Sequence, residues 1–332
     1  MKDMAVKAVA LFSGGLDSQL AVLLVQEQGV EVVGITFSTP FFTPEVALKA
    51  AEQLNIPLEV EDFTGELIEV IKNPAYGYGK NLNPCIDCHA LMVRKAGQYM
   101  EKIGAHFIIT GEVLGERPKS QNYKALGIVE KESGYQGLVL RPLSARLLPP
   151  TVPEEKGWVD RDKLGDIQGR SRKPQMAMAE KYGLKEYPTP AGGCLLTVEG
   201  FSRKLKDLLA ENPQPHRLDI ELLKVGRHFR LGPGVKLVVG RNHEENKKIE
   251  SLAREGDIIF KAADIPGPTA LYRDHEGSAD LFEPAAAVTA RYSDAREEIV
   301  KVNVIRVGRE SSKEKIAIRP MVDREIKSLR IN

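Results

Sequence analysis

The chain has 332 residues, 42% of them hydrophobic, and a formal net charge of +1. Such a length predicts about two domains, and the near-neutral balance excludes recognition of nucleic acid through a global positive field, leaving local basic patches. Lys2 and Lys7 flank an apolar strand too brief for a signal peptide, and no apolar run reaches the length of a membrane span, so a cytoplasmic location is expected.

In chain order, the apolar run Val9-Ala10-Leu11-Phe12 reads as a buried strand that leads into Ser13-Gly14-Gly15-Leu16-Asp17-Ser18. Leu16, Leu20, Leu23 and Leu24 then fall at helical spacing and end at Gly29. Two glycines where side chains would block a phosphate, followed by a helix N-terminus, aim successive amide hydrogens at one anion. The Gly-Lys-[Ser/Thr] ending of the Walker loop is missing, as is the third glycine of the dinucleotide fingerprint. Strands are predicted at 7–12, 31–38, 57–63, 106–110 and 137–140, and helices at 17–28, 44–54, 87–103 and 174–182. This alternation argues for an α/β domain with a doubly wound, mostly parallel sheet and ligands at the carboxyl ends of its strands. The loop, Thr36, Phe37, Gly111 and Glu112 fall there. Thr36 and Phe37 are candidates to face an adenosine, although a strand-end aromatic is more often core.

Between about 142 and 195 the alternation stops. Pro149 to Pro153 lead to Trp158, read as a packing residue, and then to Gly169-Arg170-Ser171-Arg172-Lys173. Arg170, Arg172 and Lys173 either clamp RNA phosphates or form a solvated charge run. From about Pro213 the composition shifts to a second, smaller α+β unit of short strands with one helix, for which Asn242 and Glu245 have capping-box spacing.

Three cysteines carry the second chemical signal. Cys85 and Cys88 form a Cys-x-x-Cys in a turn, and Cys194 follows the small residues Ala191-Gly192-Gly193. An odd count in a reducing compartment argues against structural disulfides. Three thiolates suit a [4Fe–4S] cluster that leaves one iron open for sulfide, and this reading is preferred. A metal-free persulfide carrier with a resolving thiol, a zinc site completed by His89, haem attachment at Cys85-Ile86-Asp87-Cys88-His89, and inert buried thiols are the alternatives.

Ser-Gly-Gly-Leu-Asp-Ser resembles the signature loop of the PP-loop ATP pyrophosphatases, which implies an adenine nucleotide alpha-hydrolase-like fold that splits ATP into AMP and pyrophosphate while adenylating a substrate oxygen. A PP-loop followed by Cys-x-x-Cys and one later cysteine is similar to the iron–sulfur-dependent tRNA thiouridine synthases. Thr110 to Arg117, ending in Ser120-Gln121-Asn122, resembles the ATP-flanking segment of the 4-thiouridine synthetases, and Arg141-Pro142-Leu143 resembles the turn that follows it. Met92 stands where some of these thiolases carry a lysine, so no catalytic lysine is assigned. The strand starts by residue 6, without room for a THUMP-type module, so RNA recognition is expected elsewhere in the chain. Gly-Arg-Asn at 240–242 with Asp-Ile-Pro-Gly at 264–267 is similar to the NFACT-R type of RNA-binding domain.

The resemblances imply a PP-loop sulfurtransferase domain at 1–200, with 142–200 an irregular cysteine-bearing extension, and an NFACT-R-like domain at 213–332. The implied activity is ATP-dependent tRNA thiolation of a uridine or cytidine. The alternatives are a PP-loop enzyme acting on a small molecule and an RNA-binding module with a vestigial nucleotide site. ATP and Mg2+ are the expected cofactors besides the cluster. Ser13, Gly14, Gly15, Leu16, Asp17, Ser18, Thr36, Phe37, Gly111 and Glu112 would bind ATP. Asp17, Cys85, Cys88 and Cys194 would be catalytic, the three cysteines holding the metal. Arg170, Arg172, Lys173, Arg227, Arg230 and Arg241 would meet RNA. Expected partners are tRNA and a sulfur donor (sulfide, a cysteine desulfurase or a carrier protein), with a homodimer left open.

Overall fold

The computed structural model describes residues 6–188, 194–275, 281–308 and 313–331. The chain divides into two compact units, Met1–Thr197 and Val198–Asn332.

The first unit runs β1 (Lys7–Leu11), α1 (Leu16–Gln26), β2 (Glu31–Ser38), α2 (Glu45–Leu54), β3 (Leu58–Asp62), α3 (Thr64–Lys72), α4 (Cys85–Lys102), β4 (Phe107–Thr110), α5 (Tyr123–Ser133), β5 (Val139–Leu140), α6 (Val152–Glu155) and α7 (Lys173–Lys181). Its five strands are all parallel, in the order β3-β2-β1-β4-β5. The central strand carries Ala8, Val9 and Ala10, at most 2% exposed, as a strand covered on both faces must. Chain direction across the sheet reverses at β1, which pairs with β2 on one side and β4 on the other. A crevice at the carboxyl ends of β1 and β4 follows from that order. The outer strand β3 carries Glu59, Glu61 and Asp62, an acidic edge of the kind that resists strand addition. Trp158 packs against the core beside Phe107, with ring centroids 6.2 Å apart.

The second unit comprises α8 (Glu199–Glu211), α9 (Arg217–Leu222), β6 (Arg227–Gly232), β7 (Val235–Val239), α10 (His243–Ser251), β8 (Ile258–Ala262), β9 (Thr269–Asp274), α11 (Phe282–Arg291), β10 (Val300–Arg306), β11 (Lys313–Ile318) and α12 (Asp323–Leu329). Its six strands form one antiparallel sheet, β11-β10-β8-β9-β7-β6. Alternation along the strands sorts side chains to two faces: Leu237, Val239, Ala270 and Tyr272 pack towards α11, and Val238 and Leu271 pack with Ile249 and Leu252 of the α10 region. The sequence reading of one helix from about Pro213 onward is corrected to four among the described residues, α9 to α12. Short polar helices such as α12 show only a single buried position, Ile326, and so leave little periodic signal.

Candidate nucleotide and sulfur site

The loop after β1 is shaped by its own side chains. Ser18 Oγ donates to the Gly15 carbonyl at 2.8 Å, and Gln19 Nε2 donates to the Gly14 carbonyl at 2.8 Å. Loop carbonyls are thereby turned inward and satisfied. The first helical bond runs from the Gln19 amide to Gly15, so the amides of Leu16, Asp17 and Ser18 have no intrahelical partner. Gly14 has φ +73°, and a Cβ there would lie 2.4 Å from the Val46 carbonyl oxygen at the start of α2. Gly111, just beyond β4, touches the first turn of α1 so closely that a Cβ would fall 2.5 Å from the Ser18 nitrogen. Two glycines distant in sequence thus let α2 approach the loop and the end of β4 approach the first turn of α1.

Burial raises the Asp17 carboxyl above its ordinary value, opposed by Arg172, Gln175 and Arg117. Glu116 is raised as well, first by burial and then by Asp17. The rim of the loop therefore gathers two carboxylates, two guanidinium groups and an amide.

Cys85 and Cys88 lie in the first turn of α4, three residues apart and hence on one face, with the Cys88 amide bonded to the Pro84 carbonyl at 2.8 Å. The sequence reading starts the helix at Asp87, which leaves Cys85 in the preceding turn; the helix begins one half-turn earlier. Cys194 enters a short 3-10 turn, its carbonyl accepting from Thr197 N–H and Oγ1–H. Asn81 Nδ2 donates to the Thr197 carbonyl at 2.7 Å, which ties this turn to the loop preceding α4. Burial pushes the Cys88 thiol far up, followed by the charges that Cys194 and Cys85 would carry. Cys85 and Cys194 are raised mainly by burial, and Arg117 opposes the shift in both. All three thiols are therefore electrostatic neighbours. Ala191, Gly192 and Gly193 lie outside the described residues.

Glu112 occupies a different place from the rest of the nucleotide candidates. Only 7% exposed, it accepts from Arg141 Nε at 3.0 Å and Thr110 Oγ1 at 3.2 Å, and lies 2.9 Å from His89 Nδ1. Burial alone would raise its carboxyl, but Arg141 and His89 outweigh that and hold it at about 2. Arg141 also pairs with Glu130. This buried chain links α4, the end of β4, β5 and α5, and it engages His89 with Glu112. Thr36 is buried, and Phe37 is buried edge-on against Phe63 at 4.6 Å, the core placement that strand-end aromatics favour.

The basic candidates separate into two kinds. Arg170 and Lys173 are exposed, whereas Arg172 turns inward towards Asp17. In the second unit Arg230 is hydrogen-bonded to Asp207, Arg241 to Glu245, and Arg227 lies 4.8 Å from the Tyr292 ring centre. Sequence reasoning gave no role to Gln175 and named Arg117 only within a motif. No local spacing could connect them to Asp17, since the contact forms across the fold.

Residues 4–146 match the family model described as thiamine biosynthesis protein (ThiI), and residues 226–330 match the NFACT protein RNA binding domain. The first unit is thus similar to the ThiI family over residues 4–146, and the second to the NFACT RNA-binding domain over residues 226–330. Among curated relatives, the chain is similar to the tRNA-specific 2-thiouridylase MnmA 3 of Bacteroides fragilis, at 32% identity over 33% of this chain and 32% of that protein. It is similar to MnmA of Symbiobacterium thermophilum at 25% identity over 63% of this chain and 57% of that protein. MnmA of Sulfurimonas denitrificans is 31% identical over 47% of this chain and 48% of its own length. The chain thus spans between 32% and 57% of the length of these relatives. A 4-thiouridine synthetase–RNA complex with bound ATP superposes at a TM-score of 0.33 with 20% identity, covering 54% of this chain and 52% of that one, too loose a likeness to bear on mechanism. The ThiI-type match ends in the 3-10 turn Ala145–Leu147 after β5, so it covers the PP-loop, Cys85 and Cys88 but not Arg172, Gln175 or Cys194. Among the described residues, no helix is long and apolar enough to cross a membrane.

Proposed function

We propose that this protein is an ATP-dependent tRNA sulfurtransferase. One observation carries the reading: the charge of Arg117 bears on Asp17 on the nucleotide side and on Cys85 and Cys194 on the sulfur side, which supports both chemistries sharing one end of the sheet. The loop amides and Asp17 bind the polyphosphate of ATP. A carbonyl oxygen of uridine or cytidine attacks the α-phosphorus, the bond from that phosphorus to the bridging oxygen breaks, and pyrophosphate leaves with the electron pair. Sulfur delivered from the thiol cluster then attacks the activated ring carbon and expels AMP.

Asp17 is the residue that would hold Mg2+, because its Oδ1 is buried without a partner and offers a lone pair to a cation. Cys85, Cys88 and Cys194 fit a [4Fe–4S] cluster in number and donor type, and such a cluster would supply an iron with an open position for sulfide. Among the described residues, no three Cys, His, Asp or Glu side chains are spaced around a ready ion site, so the thiols would have to draw together on loading. The metal-free form of the same reading has one thiol carry a persulfide and another resolve it. Sulfide would refill the open iron of the cluster form; the persulfide form would take sulfane sulfur from a cysteine desulfurase or a carrier protein, after an external thiol reductant has reduced the disulfide that resolution leaves. The NFACT-R domain supports RNA over a small molecule as the substrate.

The test is pyrophosphate release and thiolated-nucleoside formation with and without tRNA. Stimulation by tRNA is expected, and Cys194→Ser should keep ATP binding while losing thiolation by about a hundredfold or more. Pyrophosphate release indifferent to tRNA would assign the enzyme to a small molecule. Anaerobic protein should carry iron and labile sulfide; colourless, metal-free and fully active protein would select the persulfide route.

A further inference from the structure

Besides Gln19 Oε1 in the loop itself, three polar groups beside the nucleotide loop have buried atoms without partners. Gln175 is 0% exposed, yet neither atom of its amide meets a partner at hydrogen-bonding geometry. Asp17 Oδ1 and Arg172 Nε are in the same condition. The three are neighbours: the Gln175 amide faces the Asp17 carboxylate, and Arg172 is the cation that weighs most on it. Buried polar atoms are nearly always paired, so a cluster of orphans in a well-packed place marks groups whose partner is a ligand. The packing is firm, since Ala179 and Met178 of α7 rest on Leu16, Leu20 and Leu24 of α1.

The chemistry of the cluster specifies the ligand. A guanidinium at the N-cap of α7 and a carboxamide in its first turn, with Arg117 nearby, gather around Asp17 at the start of α1, which suits an anion with several phosphate oxygens. The carboxylate of Asp17 in their midst suits a polyphosphate that brings its own divalent cation. The cluster stands beside the nucleotide loop and not on the exposed surface that Arg170 and Lys173 present, which favours a nucleotide over an RNA backbone. We propose that Arg172 and Gln175 are phosphate-binding residues that grip the β- and γ-phosphates of ATP from the α7 side and retain pyrophosphate as its bond to the α-phosphorus breaks. This assignment rests on the ATP-dependent reading above and moves Arg172 from RNA to nucleotide.

Calorimetric titration of the full chain with Mg2+-ATP, inorganic pyrophosphate and AMP tests it, using Arg172→Ala, Arg172→Lys and Gln175→Leu. Arg172→Ala and Gln175→Leu should each weaken ATP and pyrophosphate by about tenfold or more while leaving AMP within about twofold. Arg172→Lys should recover part of the loss. Without nucleotide, Gln175→Leu should melt no lower than wild type, because it removes buried orphans. Unchanged binding of ATP and pyrophosphate, or an equal loss for AMP, would overturn the assignment while leaving the ATP-dependent reading intact. A wild-type chain that binds neither ATP nor pyrophosphate would remove both.

Discussion

Gly111 and Gly14 are small because backbone, not side chain, fills the space beside them. A methyl at Gly111 would press on the Ser18 nitrogen, and one at Gly14 would meet the Val46 carbonyl at a φ that L-residues rarely adopt. Gly111→Ala should therefore destabilise the fold by about 1–3 kcal/mol and weaken ATP binding, read by thermal melting and titration. Gly127, exposed in α5 with nothing within 4 Å of a built Cβ, is the opposite case. Gly127→Ala should stabilise by about 0.5–1 kcal/mol without touching ATP affinity. A fall in stability at Gly127 equal to that at Gly111 would show that neither effect comes from the contacts described.

At the scale of elements, the Glu112 network holds α4 and α5 to the sheet. Its carboxyl is held below the ordinary value, so the folded state binds the proton less readily than the unfolded chain does. The stabilisation is present above about pH 4.5 and is lost as pH falls towards about 2, amounting to about 3 kcal/mol. Glu112→Gln should lower stability at pH 7 and flatten the acid limb of a denaturation profile; an acid limb as steep as wild type would contradict the assignment. The elements themselves were unevenly legible in the sequence. The strand–loop–helix around Ser13 to Ser18 is readable because apolar spacing changes from strand to helix across two glycines. α5 carries ordinary boundary signals, with Asn122 accepting from the Ala125 amide and Gly134 at φ +86°, but the polar residues and Gly127 between them hide its short buried stripe. α3 buries only Leu67, Ile68 and Ile71, too brief a pattern to stand out. The approach of α7 to Asp17 was not legible at all, because it depends on how Leu16, Leu20 and Leu24 pack against Ala179.

At the scale of the whole molecule, each unit has an apolar core of its own, and the single tryptophan, Trp158, belongs to the first. Its fluorescence should follow the unfolding of that unit alone. Lys236, 4% exposed and paired with Asp207 in the second unit, is lowered to about 8, chiefly by burial. Between about pH 8 and the ordinary lysine value of 10.5, the unfolded chain holds that proton and the folded one does not, so wild type gains stability with rising pH relative to Lys236→Met. At pH 7 the variant should be the more stable, by circular dichroism, with the tryptophan transition unmoved. A shift of both signals together would mean that the cores unfold as one. The acidic edge strand β3 has a further effect on any polyanion that reaches this protein. Within roughly 8 Å of that flank, the range left unscreened at physiological salt, the exposed carboxylates of Glu59 and Asp62 disfavour the approach of any backbone phosphate to this edge.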